Sequence, residues 1–130
     1  MWCAATAKPV HKAAHMTHTG GCHCGKIAYE FEGEIGAVLE CNCSLCAKRG
    51  GLLHFIAESQ FTLKTPREGL RTYKFNKHLL SHHFCPACGI SPFTEGADPK
   101  GNKMVAINVR CVEGVDPRKL EINFFNGRDV

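Results

Sequence analysis

The chain has 130 residues, 44% of them hydrophobic, which supplies one small core and leaves no length for a second domain of ordinary size. Lysine and arginine number 16 against 12 acidic residues, a formal charge of +4, and no apolar run approaches the roughly 20 residues of a membrane-spanning helix. The segment Met1 to Thr19 also lacks the apolar stretch of roughly 7 to 15 residues that a secretory leader needs, so the expectation is a soluble, cytoplasmic protein with no membrane partner.

Nine cysteines in such a chain are expected to be reduced and metal-bound rather than disulfide-paired. If seven of them surround two zinc ions as thiolates, the net charge falls to about +1, which argues against a polyanionic partner such as nucleic acid.

Residues 1–18, with Ala, His, Lys and Pro9, show no strand alternation and read as a flexible N-terminal arm ahead of a zinc-binding domain at 19–130. Cys3 belongs to no pair, and His11 and His15, although spaced i, i+4, have no carboxylate to complete a metal site.

Gly20-Gly21-Cys22-His23-Cys24-Gly25 then sets two thiols in a C-x-C flanked by glycines, which let the backbone approach an ion. It runs into Lys26 to Glu32, where Ile27, Tyr29 and Phe31 alternate with polar or small residues as in a half-buried strand, ended by Gly33.

Ala37 to Glu40 lead to Cys41-Asn42-Cys43-Ser44-Leu45-Cys46, three thiols in one short cluster. On an extended segment Cys41 and Cys43 point to the same side, and a turn through Ser44 and Leu45 brings Cys46 back towards them. Zinc takes four ligands, so three thiolates would leave a position for water or substrate. The alternatives are a closed site with a borrowed ligand, such as His54 or His82, and reduced thiols packed in a turn. Lys48 and Arg49 follow at once, placed either to lower thiol pKa and hold an anionic substrate or simply to face solvent.

Leu52 to Ile56, Phe61 to Lys64, Arg71 to Phe75 and Leu79 to Phe84 are short strand-like runs, and Pro66 and Gly69 suggest a mostly antiparallel meander. Phe84-Cys85-Pro86-Ala87-Cys88-Gly89 reads as a metal knuckle: proline presets the turn, glycine permits a left-handed residue, and amides can face the sulfurs. Cys22, Cys24, Cys85 and Cys88 would together complete a tetrahedral structural site, although the central cluster could in principle claim either pair. After a loop from Gly96 to Asn102, Met104 to Val109 is apolar enough to be a central strand. Leu120 to Phe124 is a last alternating strand, and Asn126-Gly127 is expected to turn the chain out.

With G-G-C-H-C-G at Gly20 to Gly25, C-N-C-S-x-C at Cys41 to Cys46, H-F at His54-Phe55 and H-x-F-C-x-x-C-G at His82 to Gly89, the chain resembles the glutathione-dependent formaldehyde-activating enzyme family, which includes centromere protein V relatives. The resemblance, from about Thr19 to Gly127, implies a mainly β, Mss4-like fold of packed antiparallel sheets and two zinc ions per chain. It implies a structural zinc on Cys22, Cys24, Cys85 and Cys88 and a catalytic zinc on Cys41, Cys43 and Cys46. The implied activity is that of a carbon-sulfur lyase condensing glutathione with formaldehyde to S-(hydroxymethyl)glutathione, the metal acting as Lewis acid. His82 or His54 would then shuttle a proton or belong to the packing around the site. Two other functions compete: a non-catalytic, zinc-stabilised interaction module of the centromere protein V type, and methionine sulfoxide reduction, for which Cys111 would be the candidate nucleophile.

Overall fold

The computed structural model describes residues 16–75 and 79–129; Cys3, His11, His15 and the arm up to residue 15 lie outside the described residues. Among the described residues, ten strands form two sheets. The smaller is an antiparallel sheet of β1 (Thr17–Gly21), β2 (Ala28–Glu32) and β5 (Phe61–Leu63), with β2 in the middle. Thr17 and His18, read with the arm, are already paired to Glu32 and Phe31.

The larger sheet contains β3 (Val38–Cys41), β4 (Leu53–Ala57), β6 (Arg71–Tyr73), β7 (Ser81–Phe84), β8 (Phe93–Ala97), β9 (Lys103–Asn108) and β10 (Ile122–Phe125), in the order β10-β3-β4-β9-β8-β7-β6. The single helical turn and a half, α1 (Ser44–Arg49), buries no residue. Its first turn is capped by Cys43 and its end by left-handed Gly50. Among the described residues no helix is long and apolar enough to cross a membrane.

Alternation decides how the sheets meet. Ile27, Tyr29 and Phe31 fall on one face of β2 and its approach, each only 1% exposed, and pack with Ile56, Phe93, Val105 and Ile107 of the large sheet. Phe93 sits among Phe61, His83 and Tyr29, with ring centroids 4.8, 4.9 and 5.9 Å away. The apolar run in β9 is central, as its composition suggests, because both its faces are covered. Val105 and Ile107 face the small sheet, while Ala106 packs with Phe55 on the other side.

Three expectations need correction. The strands β5 and β6 are not meander neighbours: β5 pairs with β2, β6 pairs with β7, and the turn at Pro66 with the 3-10 segment Arg67–Gly69 carries the chain from one sheet to the other. The pairing of β10 with β3 is parallel, in a sheet otherwise antiparallel, which the long connection between the two strands permits. Finally, β10 lies at the sheet edge with Ile122 and Phe124 exposed, so its alternation does not bury one face.

Truncating the two kinds of phenylalanine should therefore have unequal effects. Phe93→Ala is expected to cost about 3–5 kcal/mol, and Phe124→Ala no more than about 0.5 kcal/mol, measured by chemical denaturation. Equal losses would mean that β10 is covered as thoroughly as the core.

Candidate metal centres

The seven cysteines singled out in the sequence divide into two clusters, each able to hold a metal ion: Cys22, Cys24, Cys85 and Cys88, and Cys41, Cys43 and Cys46, with sulfurs in each lying within 4.8 Å of one another. The first cluster joins the two sheets. Cys22 and Cys24 lie in the β1–β2 connection, and Cys85 and Cys88 in the β7–β8 connection.

Zinc–thiolate bonds of about 2.3 Å put sulfurs about 3.8 Å apart on a tetrahedron. Here Cys24 Sγ is 3.7 Å from Cys22 Sγ and 3.5 Å from Cys85 Sγ. Backbone amides face the sulfurs: Ile27 N donates to Cys22 Sγ at 3.2 Å, and Ala87 N and Cys88 N donate to Cys85 Sγ at 3.3 and 3.4 Å. Gly89, at φ 82°, makes the left-handed turn that the knuckle motif requires and donates to Cys85 O at 2.8 Å.

The amides of Ile90 and Cys24 draw the Cys88 thiol down to about 6. For Cys24 the amide of Lys26 acts in the same sense, but the neighbouring thiols of Cys85, Cys22 and Cys88, with desolvation, push it up to about 11. Four sulfurs this close resist ionising together, and a bound dication relieves that conflict. The donor set thus fits a thiolate-preferring metal.

The central cluster is assembled differently. Cys41 ends β3, Cys43 caps α1 and Cys46 lies in its first turn. Cys43 N donates to Cys41 Sγ and Cys46 N to Cys43 Sγ, both at 3.4 Å. Burial raises Cys41 and, with the charges of Cys41 and Cys43, raises Cys46. Burial also opposes ionisation of Cys43, but the amides of Cys46 and Leu45 prevail and lower it. Ionisation is eased at Cys43 and opposed at its two neighbours, a conflict that a bound cation would relieve, which again fits a metal.

Among the described residues no histidine or carboxylate joins this trio. His54, in β4, is buried against Phe31 at a centroid distance of 5.8 Å, and His82, in β7, lies 5.6 Å from the Phe75 ring with Nδ1 3.3 Å from Thr94 Oγ1. Neither is a borrowed ligand. Cys111 lies near the other cluster, and burial, then the charges of Cys22 and Cys88, push its thiol up to about 11. Such a thiol is a poor nucleophile at neutral pH.

Lys48 and Arg49, equivalent in the sequence, are separated by the helix. Arg49 follows Cys46 by three positions and shares its face, whereas Lys48 does not. Arg49 Nη1 donates to Ser91 Oγ at 2.7 Å, and that hydroxyl donates to His83 O at 2.7 Å. Partial desolvation lowers the Arg49 pKa, while the nearby Cys46 and Tyr73 favour its charge.

Sequence reasoning missed two parts of the surroundings. The first is a brace on the buried His83, whose Nε2 donates to Glu95 Oε1 at 2.6 Å; Thr72 Oγ1 lies 2.9 Å from His83 Nδ1, and the exposed Arg67 pairs with the same carboxylate. Hydrogen bonding from His83, then from Arg67, holds Glu95 below the usual carboxylate range, so it is the acceptor. The second is the chain end. Asn126-Gly127 does not turn outward but lies over the central thiols, where a Cβ on Gly127 would be 2.6 Å from Cys41 Sγ. An Asn-Gly pair directly after an edge strand marked the turn, but nothing in it marked the direction.

Compared with known proteins, residues 17–127 match the family model described as glutathione-dependent formaldehyde-activating enzyme. Among solved structures, the crystal structure of a Rhodobacter sphaeroides protein is similar at a TM-score of 0.69 and 28% identity, covering 81% of this chain and 99% of that one.

Burial, assisted by His18 for His54 and by Arg49 and His83 for His82, lowers both imidazoles to about 4. Unfolding releases them to an ordinary value of about 6.5, so the unfolded chain binds more protons between those limits. Their contribution to stability is complete above pH 6.5 and is lost as pH falls towards 4, by about 1.4 kcal/mol per pH unit for each ring. His54→Leu should consequently lose about 2 kcal/mol less than wild type between pH 6.5 and 5 in urea denaturation at fixed metal loading. Parallel pH profiles for the two proteins would refute this.

Proposed function

Because the chain belongs to the glutathione-dependent formaldehyde-activating enzyme family, we propose that it is a zinc-dependent carbon-sulfur lyase that forms and cleaves S-(hydroxymethyl)glutathione at Cys41, Cys43 and Cys46. The observation carrying this reading is a cluster of three thiols to which, among the described residues, the protein adds no fourth ligand. Cys22, Cys24, Cys85 and Cys88 would hold a second, structural zinc, for which four thiols make a closed set.

Zinc on three thiolates would keep a position for a thiol or an aldehyde oxygen and would act there as a Lewis acid. In the forward direction the glutathione sulfur bonds to the formaldehyde carbon, the carbonyl π bond breaks, and the thiol proton ends on the new hydroxyl. The chain's own task is to hold glutathione with its sulfur at the centre. Arg49, oriented by Ser91 on the same helix face as Cys46, is the cation placed to receive a glutathione carboxylate. The His83–Glu95–Arg67 brace steadies the strand from which Ser91 is held. His54 and His82, each 8% exposed, are assigned to packing rather than to proton transfer.

The exposed Ile122 and Phe124 of β10 favour the alternative, a zinc-stabilised interaction module. That reading leaves the open trio and the oriented Arg49 without a purpose.

Exchange NMR with labelled formaldehyde and glutathione tests the proposal. Zinc-loaded wild type should accelerate interconversion with the adduct, Cys43→Ser should stay folded and lose the acceleration, and Cys85→Ser should be largely unfolded, because structural zinc contributes roughly 10–16 kcal/mol in small peptides. No acceleration by protein carrying two zinc ions would favour the interaction module.

Charge removal should separate the two neighbouring cations. Arg49→Ala is expected to raise the KM for glutathione about two- to five-fold, as suits an exposed pair, with Lys48→Ala nearly silent. Equal effects would remove Arg49 from the site.

A further inference from the structure

The chain end is fastened to the central cluster through the residue between its first two thiols. Asn42 N donates to Phe125 O at 3.3 Å, Asn42 Nδ2 donates to Asn126 Oδ1 at 3.0 Å, and Asn42 Oδ1 accepts from Arg128 N at 3.1 Å. Asn126 Nδ2 in turn donates to Asp129 Oδ2 at 2.7 Å, closing the turn on itself. Gly127 is thereby held with its Cα against the sulfurs: a Cβ there would lie 2.6 Å from Cys41 Sγ and 3.3 Å from both Cys43 Cβ and Phe125 Cε2.

We infer that Gly127 is a positioning residue of the central metal centre, its missing side chain being the space in which Cys41 Sγ turns towards Cys43 and Cys46. The inference rests on the reading of that trio as a metal site. Real carbon and sulfur atoms do not approach to 2.6 Å, so a methyl group at Gly127 forces one neighbour to yield. The backbone of Cys41 is fixed by its pairing with Phe125 of β10. The tail is fixed by three bonds to Asn42. What remains is rotation about the Cα–Cβ bond of Cys41, which takes its sulfur out of the trio. The outer cluster has no part in this contact, so the effect is confined to one of two centres.

Gly127→Ala tests the inference, with zinc stoichiometry and chelator competition read against wild type and cobalt–thiolate absorption as a second signal. The expected result is a central site weakened at least tenfold, an unchanged outer site, and partial recovery in Gly127→Ala/Asn126→Ala, where the tail loses one of its three bonds to Asn42 and its bond to Asp129 and so yields more easily. Two zinc ions bound at wild-type affinity by Gly127→Ala would overturn the inference. Wild type that itself binds a single zinc would overturn the metal reading of the trio instead, so the two failures are distinct. Should Gly127→Ala not fold, hydrogen exchange on wild type decides: filling the central site should slow exchange in residues 125–129, and unchanged exchange there would overturn the inference.

Discussion

Crowding of sulfur against sulfur is the constraint on which the rest of this structure depends. Cys24 and Cys85 are 61 residues apart in the chain, yet their sulfurs lie 3.5 Å apart. Closing so long a loop costs entropy in the unfolded chain, and placing ionisable thiols at van der Waals distance costs more as they ionise. Amides of the glycine-flanked turn and of the knuckle reduce that second cost for Cys88 and Cys85, whereas for Cys24 the amide of Lys26 is outweighed by the neighbouring thiols and desolvation. A cation among the four removes it. Because one pair belongs to the small sheet and the other to the large one, the same cation would fasten the two layers over the Tyr29–Phe93 core.

The central cluster meets the same difficulty with fewer parts. A strand end, a helix cap and a first helical turn supply three sulfurs, and the cap geometry lowers Cys43 while burial raises its neighbours. Helix α1 has no buried residue to anchor it, so its place depends on its caps, on Arg49 through Ser91, and on the Asn42 contacts with the chain end. On the proposed reading this centre exchanges a ligand, while the outer cluster, built into the junction of two sheets, retains its ion.

Much of this was legible in the residues. Each C-x-C or C-x-x-C spacing implies local convergence, but spacing leaves the central cluster free to claim either pair, and it is the placement of the sulfurs that gives the four-and-three division. The alternation Ile27, Tyr29, Phe31 and the apolar run of β9 reported burial directly, since side chains on a strand take turns between faces. What escaped depends on long-range pairing. Nothing local in Phe61 to Leu63 distinguishes the small sheet from the large one, and nothing in Ile122 to Phe125 encodes a parallel partner. Nothing around Asn42 in the sequence marks it as the partner of Arg128, 86 residues later. The choice between Lys48 and Arg49 needed a helix where a turn was expected, because only helical phase separates adjacent residues into facing and solvent-directed positions.

The central claim is a pair of thiol sites, one closed by the protein and one left with a ligand position. Zinc-edge X-ray absorption on fully loaded protein tests it most directly, because it counts sulfur neighbours irrespective of activity. Seven thiolates shared by two ions predict about 3.5 sulfurs per zinc, rising to about four when glutathione is added. Four sulfurs per zinc from the outset, unchanged by glutathione, would contradict it.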